Sequence, residues 1–261
     1  MNEQSDNLAQ AARQLIETDV LLGGDYIPAR RNPLPAPPGQ GPSAAAPCIP
    51  PAPSADAPPA ATGQEKAAAL EALRQETLAA RCAACTLGPS RTNLVFGEGS
   101  PSAELVFVGE APGEEEDRTG RPFVGRAGEL LTKMIQAMGL RREDVYICNM
   151  LKCRPPGNRT PNPQEIQACW SYLLRQLQII RPRVIVTLGN PATQGLLQTS
   201  VGITRLRGQW QRLPDLAPGL GGTPVMPTFH PAYVLRQYTV EVRGKVWDDL
   251  KKVMERLRGR D

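Results

Sequence analysis

The sequence predicts an α/β domain, a three-layer αβα sandwich around a central, mainly parallel four-stranded sheet. Three observations predict it. Short apolar runs at 104–109, 145–151, 183–189 and 224–229 alternate with helix-patterned segments at 127–138, 163–179, 191–198 and 243–258. Such alternation marks parallel strands covered by helices on both faces. The first, second and fourth runs carry a polar or conformationally special residue near or just beyond their ends, Gly109, Asn149 and His230, where an open α/β sheet presents its ligand site. The folded part is also of single-domain size, because 12 of the 27 prolines fall within residues 27–64.

In chain order, residues 1–26 contain an apolar pattern at Leu8, Ala12, Leu15, Ile16 and Val20 that ends at Gly23-Gly24. It reads as an amphipathic helix over 7–22, able to dock on another protein or to pack back on its own domain. Residues 27–64 are rich in Pro and Ala and hold too little apolar surface to offset ordering entropy, so a disordered linker is expected. Residues 65–261 form the expected domain, opening with an Ala/Leu/Glu-rich helix at 65–81. No run of 18 apolar residues exists, so no transmembrane helix is predicted. No basic start followed by an apolar stretch opens the chain, and the cytoplasm is the expected compartment.

The net charge of +4 conceals an asymmetry. Residues 1–64 hold 3 Lys and Arg against 6 Asp and Glu, leaving 27 against 20 for the domain. A basic, Arg-rich domain is compatible with a phosphate-bearing partner and equally with an ordinary solvated surface.

After the first strand, Leu105-Val106-Phe107-Val108 empties into a loop at 109–125 with four glycines, two prolines, four consecutive acids and Phe123. Fixed backbone beside this much charge suits a pocket floor where main chain approaches a ligand. Phe123 is either a stacking surface for a planar ligand or an anchor for the loop. Asn149 is disfavoured inside a strand. At a strand end its amide presents a donor and an acceptor together, as reading a base edge requires. His230 is the only histidine. Pro231 after it favours an extended backbone at His230 and can begin a helical turn, which would fix a donor for a developing anion.

The six cysteines are too few for a disulfide framework in a chain of this length. Cys48 falls in the linker, and Cys148 sits in an apolar strand as a core thiol. Cys82 and Cys85 form a C-x2-C pair, and Cys153 and Cys169 a looser C-x15-C pair. Four such thiols admit zinc or an iron–sulfur cluster, with unliganded thiols as a third reading. The loose second pair and Arg154-Pro155-Pro156 after Cys153 weigh toward the cluster, in a structural rather than redox role.

Taken together, Gly109-Glu-Ala-Pro-Gly-Glu-Glu-Glu-Asp, Gly120-Arg-Pro-Phe-Val-Gly, Asn149-Met-Leu-Lys-Cys-Arg-Pro-Pro, Asn158-Arg-Thr-Pro and His230-Pro-Ala-Tyr resemble the motifs of the family 4 uracil-DNA glycosylases. The resemblance covers about residues 68–258 and says nothing of residues 1–64. It implies a uracil-DNA glycosylase-like fold, a monomer acting on uracil-containing DNA, and a [4Fe–4S] cluster on Cys82, Cys85, Cys153 and Cys169. Phe123 is then expected to stack on a flipped uracil and Asn149 to read its polar edge. His230 is expected to stabilise charge on uracil O2, with Glu110, Ala111 and Gly113 lining the pocket. Tyr233, Val234, Leu235 and Arg236 are expected along the damaged strand, with Val234, Leu235 or Arg236 filling the vacated stack. Family 1 enzymes, similar in this loop, carry a water-orienting Asp where Ala111 stands here. Glu116 is therefore the expected water-activating residue, with Asp117 or a purely dissociative route as alternatives. A glycosylase with shifted base range, or a non-catalytic iron–sulfur DNA-binding protein, are the competing readings. The covalently linking type is not matched, since 152–163 lacks its inserted His-containing loop.

Overall fold

The computed structural model describes residues 61–80 and 85–259. The expected helix at 7–22, the linker up to residue 60, Cys48 and Cys82 lie outside the described residues. From Thr62 onward the chain forms one compact unit.

Helix α1 (Gly63–Ala79) starts two residues before its expected position because Thr62 caps it. The Thr62 hydroxyl accepts from the Glu65 N–H, and the Glu65 carboxylate accepts from the Thr62 N–H at 2.7 Å. Two otherwise orphaned donors of the first turn are thereby satisfied. The helix buries Leu70 and Leu73.

The expected strands appear as β2 (Leu105–Gly109), β3 (Tyr146–Asn149), β4 (Val184–Leu188) and β6 (Pro224–Thr228). They are mutually parallel, in spatial order β3-β2-β4-β6. Two-residue antiparallel strands, β1 (Glu98–Gly99) and β5 (Gln211–Arg212), complete a six-stranded sheet at its edges. Two residues are too few to show a period of two, so neither was readable in the sequence. Strand β3 ends before the expected residue 151. Met150 and Leu151 leave the regular ladder, although their N–H groups still reach the Gly109 and Glu110 carbonyls.

Helices α3 (Arg126–Ala137), α4 (Pro163–Ile180), α5 (Asn190–Leu197) and α8 (Val240–Leu257) match the expected segments within a few residues. The acidic run forms a short helix, α2 (Glu114–Thr119), rather than open loop. Four acids in its first turn favour the positive end of the helix dipole, and Gly120 closes it in the left-handed conformation at φ 72°. Short helices α6 (Ile203–Leu206) and α7 (Pro231–Arg236) follow β4 and β6.

Alternate residues of the strands feed two cores. Val106, Val108, Tyr146, Ile185 and Val225 pack with Leu73 of α1 and Leu173 and Leu177 of α4. Leu105, Phe107, Ile147, Val186 and Met226 pack with Leu131 and Ile135 of α3 and Leu250 and Val253 of α8. Burial on both faces explains why these strands read as continuous apolar runs without alternation. The register aligns Gly109 with Asn149 across β2 and β3, and Leu188 with Thr228 across β4 and β6. The carboxyl ends of the central strands thus finish level with one another, and the site forms there.

Candidate active site

A cavity of about 660 Å³ lies at those carboxyl ends. The end of β2 supplies Glu110, Ala111 and Gly113, α2 supplies Glu116, and the following loop supplies Phe123. Asn149 ends β3, and His230 stands between β6 and α7. Tyr233 and Arg236 of α7 line the same cavity from the exposed side. Nine of the expected site residues, drawn from segments more than a hundred positions apart, therefore share one pocket.

Asn149 is 2% exposed, and its Oδ1 has no hydrogen-bond partner. Leaving a buried acceptor unmatched costs about 1–3 kcal/mol, so the position is held against its own preference. Its main-chain oxygen is fixed by the Lys152 ammonium at 2.8 Å. A side chain on Gly109 would collide with Oδ1 and come within 2.6 Å of the Phe123 ring. Glycine is required there by close approach.

Phe123 adopts a left-handed backbone, φ 51°, uncommon for a bulky residue. It is 5% exposed and packs with Leu130, Leu131 and Phe229 in the core beneath. Its ring also lines the cavity, 5.6 Å from the His230 ring and tilted 33° to it. One side chain thus anchors the loop in the core and presents its ring to the cavity.

His230 Nδ1 accepts the Ala232 N–H at 3.1 Å, capping α7. Burial pushes its pKa down to about 4, with the Arg236 charge adding to the effect and Glu116 opposing it. The neutral ring with Nδ1 as acceptor carries its proton on Nε2. Gly189, at φ 89°, lets β4 pass close beside this ring, since a Cβ there would lie 2.9 Å from the His230 Cβ.

Both residues expected as candidates for water activation are engaged by main-chain donors. The Glu116 carboxylate accepts from the Gly113 N–H on one oxygen and from the Val124 and Gly125 N–H groups on the other, at 3.0, 3.0 and 3.3 Å. Three main-chain donors occupy most of its lone-pair capacity, so it buckles the two ends of the loop together. Asp117 is 6% exposed and accepts from the Thr92 and Asn93 N–H groups, away from the cavity. Glu110 is the cavity carboxylate left uncommitted. It is half-buried, and burial raises its pKa.

The expected stack-filling residues also divide. Val234 is 2% exposed and belongs to the core on the α3 side of the sheet. It is removed from any role on DNA, because leaving the core would forfeit its burial. Leu235 packs partly against the same core, whereas Tyr233 and Arg236 are exposed. The sequence reading missed a further wall, Leu188, Gly189, Asn190 and Pro191 at the end of β4. The strand-end rule that singled out Asn149 and His230 would have found it. The 158–160 stretch contributes Asn158, Arg159 and Thr160.

Away from the cavity, Cys153 and Cys169 are buried in the core that α1 and α4 cover, with half-buried Cys85 packed against it. Leu87 N–H points at the Cys85 sulfur, and the Arg91 guanidinium at the Cys153 sulfur, each at 3.4 Å. Among the described residues no three acidic, thiol or imidazole groups form a complete metal cage, and Cys82 lies outside them. Cys148 is fully buried in β3, as a core thiol.

A pocket of this make-up, at the ends of parallel strands with an amide, an aromatic ring and an imidazole on its walls, places the chain in a defined class. The family model described as the uracil DNA glycosylase superfamily matches residues 96–251, and the chain belongs to that superfamily. Its relatives narrow the branch. The Type-4 uracil-DNA glycosylase of Thermotoga maritima is 53% identical over 176 residues, 66% of this chain and 87% of the relative. Those of Archaeoglobus fulgidus and Sulfurisphaera tokodaii are 47% and 45% identical, spanning 67% and 71% of this chain and 87% and 84% of their own lengths.

Proposed function

We infer that the cavity is a uracil pocket and that the protein is a uracil-DNA glycosylase, hydrolysing the bond between uracil and deoxyribose and leaving an abasic site. The observation that carries this reading is the buried, partnerless Oδ1 of Asn149 at the cavity wall. An acceptor held dry is matched by a ligand N–H, and uracil N3 supplies one beside the O4 that the amide Nδ2 can serve. Cytosine has no N3 hydrogen and carries an amino donor at position 4, so it mismatches both atoms. Sites built to hydrogen-bond a ligand reject such mismatches by about 10⁴–10⁵.

A base reaches such a pocket only after leaving the helical stack. The Phe123 ring then replaces a lost stacking neighbour. As the glycosidic bond lengthens, negative charge gathers on the uracil, and Nε2–H of neutral His230 donates to O2. A preorganised donor of this kind contributes about 10²–10³ in rate. Water attacks C1′ of the resulting sugar cation, and Glu110 accepts the proton released.

The thiols at positions 82, 85, 153 and 169 suit a [4Fe–4S] cluster chemically. The set is all-sulfur, and N–H donors aimed at the Cys85 and Cys153 sulfurs suit thiolate charge. A cluster there supplies a covalent tie between the segment after α1, the 153 loop and α4, with no part in bond cleavage.

Release of free uracil from a uracil-containing oligonucleotide tests the function, run on wild type beside Asn149→Ala, Glu110→Gln and His230→Ala. Turnover by the wild type with loss in the variants is expected. No release by the wild type at matched enzyme and DNA concentrations overturns the reading.

A further inference from the structure

Phe123 has an unfavourable backbone conformation, φ 51°, and its main chain is surrounded by groups outside the cavity. The residue before it, Pro122, is buried, and its carbonyl accepts from the Arg142 guanidinium in a short hydrogen bond. The same guanidinium donates to Glu98 Oε1 at 2.9 Å and to Thr132 Oγ1 at 3.3 Å. Thr132 in turn donates to the Gly128 carbonyl at 2.9 Å. A Cβ on Gly128 would overlap the Phe123 carbonyl, so α3 and the Phe123 main chain are in direct contact. On the loop's other flank, Arg121 grips both oxygens of Glu98, at 2.7 and 2.8 Å.

Arg142 therefore ties three bodies together: the loop through Pro122, edge strand β1 through Glu98, and α3 through Thr132. Its side chain is only 15% exposed. In that setting a forked, charge-assisted contact is stronger and more directional than a surface pair. None of these groups lines the cavity, and the reaction derived above uses none of them.

We propose that Arg142 is a positioning residue for base excision, clamping the Pro122 carbonyl so that the Phe123 ring is held ready to stack on the extruded base. The proposal rests on the reading of Phe123 as the stacking surface. Released from the clamp, Phe123 relaxes toward ordinary backbone angles and its ring moves from the wall shared with His230. Misplacing a substrate-orienting group by about 1 Å can cost up to about 10²-fold in rate.

The test is a double-mutant cycle on single-stranded uracil-containing oligonucleotide, with kcat and KM measured for wild type, Arg142→Gln, Phe123→Leu and the double variant. Assays run below each variant's melting temperature, which is measured alongside. Arg142→Gln is expected to lower kcat about tenfold with a smaller change in KM. In the Phe123→Leu background the same substitution is expected to cost less than about twofold, because coupled residues are not additive. Should Arg142→Gln not fold, Glu98→Gln, which loosens the clamp from β1, takes its place in the cycle. Equal losses in both backgrounds, or no loss from either clamp variant while Phe123→Leu is impaired, overturns the clamp. Wild-type kinetics in Phe123→Leu overturn the stacking reading and the clamp with it.

Discussion

The Ala232 N–H donates to Nδ1 of His230 at 3.1 Å, and this bond decides which nitrogen carries the proton of the neutral ring. With the pKa pushed down to about 4 by burial, the ring is neutral at physiological pH and its proton sits on Nε2. Replacing His230 with Ala is expected to lower kcat by about 10²–10³ while DNA binding persists. Near-normal turnover would remove His230 from the mechanism. The ring's titration, followed by NMR, is expected to have its midpoint near pH 4. Because the folded pKa lies below the unfolded one, the unfolded chain binds more protons between them. Stability from this group is complete above the unfolded value, near 6.5, and is lost as pH falls toward 4.

Asn149 predicts a trade between stability and activity. Asn149→Ala removes a buried acceptor without a partner, relieving about 1–3 kcal/mol, and opens space only toward the existing cavity. Its melting temperature is expected to equal or exceed that of wild type while uracil release collapses. A large drop in melting temperature would show that the amide is part of the fold's support.

The two cavity carboxylates separate by their pH profiles. Glu110 has its pKa raised by burial, so kcat/KM is expected to fall as pH drops through a value above the ordinary carboxylate range. Glu110→Gln abolishes that acid limb. Glu116→Gln keeps the limb and instead loses about 1–3 kcal/mol of stability, since it disturbs three main-chain hydrogen bonds. The reverse pattern would return the water to Glu116.

Lys152 is fully buried, donating to the Asn149 carbonyl and to Gln176 Oε1. Burial pulls its pKa down, and neighbouring Cys148, Cys169 and Cys153 pull it back up. Lys152→Met leaves two buried acceptors unmatched. A loss of at least about 1–3 kcal/mol is expected in denaturant unfolding, with activity falling further because Asn149 is no longer fixed. Unchanged stability would mean that the two acceptors find other partners.

Adjacent residues of α7 are expected to fail in different ways. Val234→Ala costs about 2 kcal/mol of stability and leaves the salt dependence of DNA binding unchanged. Arg236→Ala leaves stability near wild type and reduces the slope of log K against log salt by about one. Binding titrations at several salt concentrations separate them.

Much of this was legible because strong signals coincide with the site. Leu105-Val106-Phe107-Val108 stops at a glycine because the Asn149 amide and the Phe123 ring pass close by, and Asn149 and His230 stand at or just beyond the ends of their strands on the same cavity. Other features depend on contacts that no local pattern records. Edge strands β1 and β5 have two residues each. The facing of α7 is decided by packing against α3 with Val234 in the core, and six residues are too few to reveal a buried stripe. The duty of Glu116 was hidden because its partners are main-chain amides, which have no identity in a sequence. Gly189 has no side chain to single it out, and its left-handed backbone, φ 89°, shows only in the fold.

The parallel pairing of β6 with β4 also sets the order in which the pocket is completed during synthesis. A nascent chain that has emerged as far as Asn149 already contains Glu110, Phe123 and the Asn149 amide. His230 joins them only when β6 pairs with β4, the last of the parallel strands to leave the ribosome. Until then the cavity lacks the wall that carries its imidazole. If the proposed roles hold, the ability to break the bond arrives with the final strand, after the means of recognising what is to be removed.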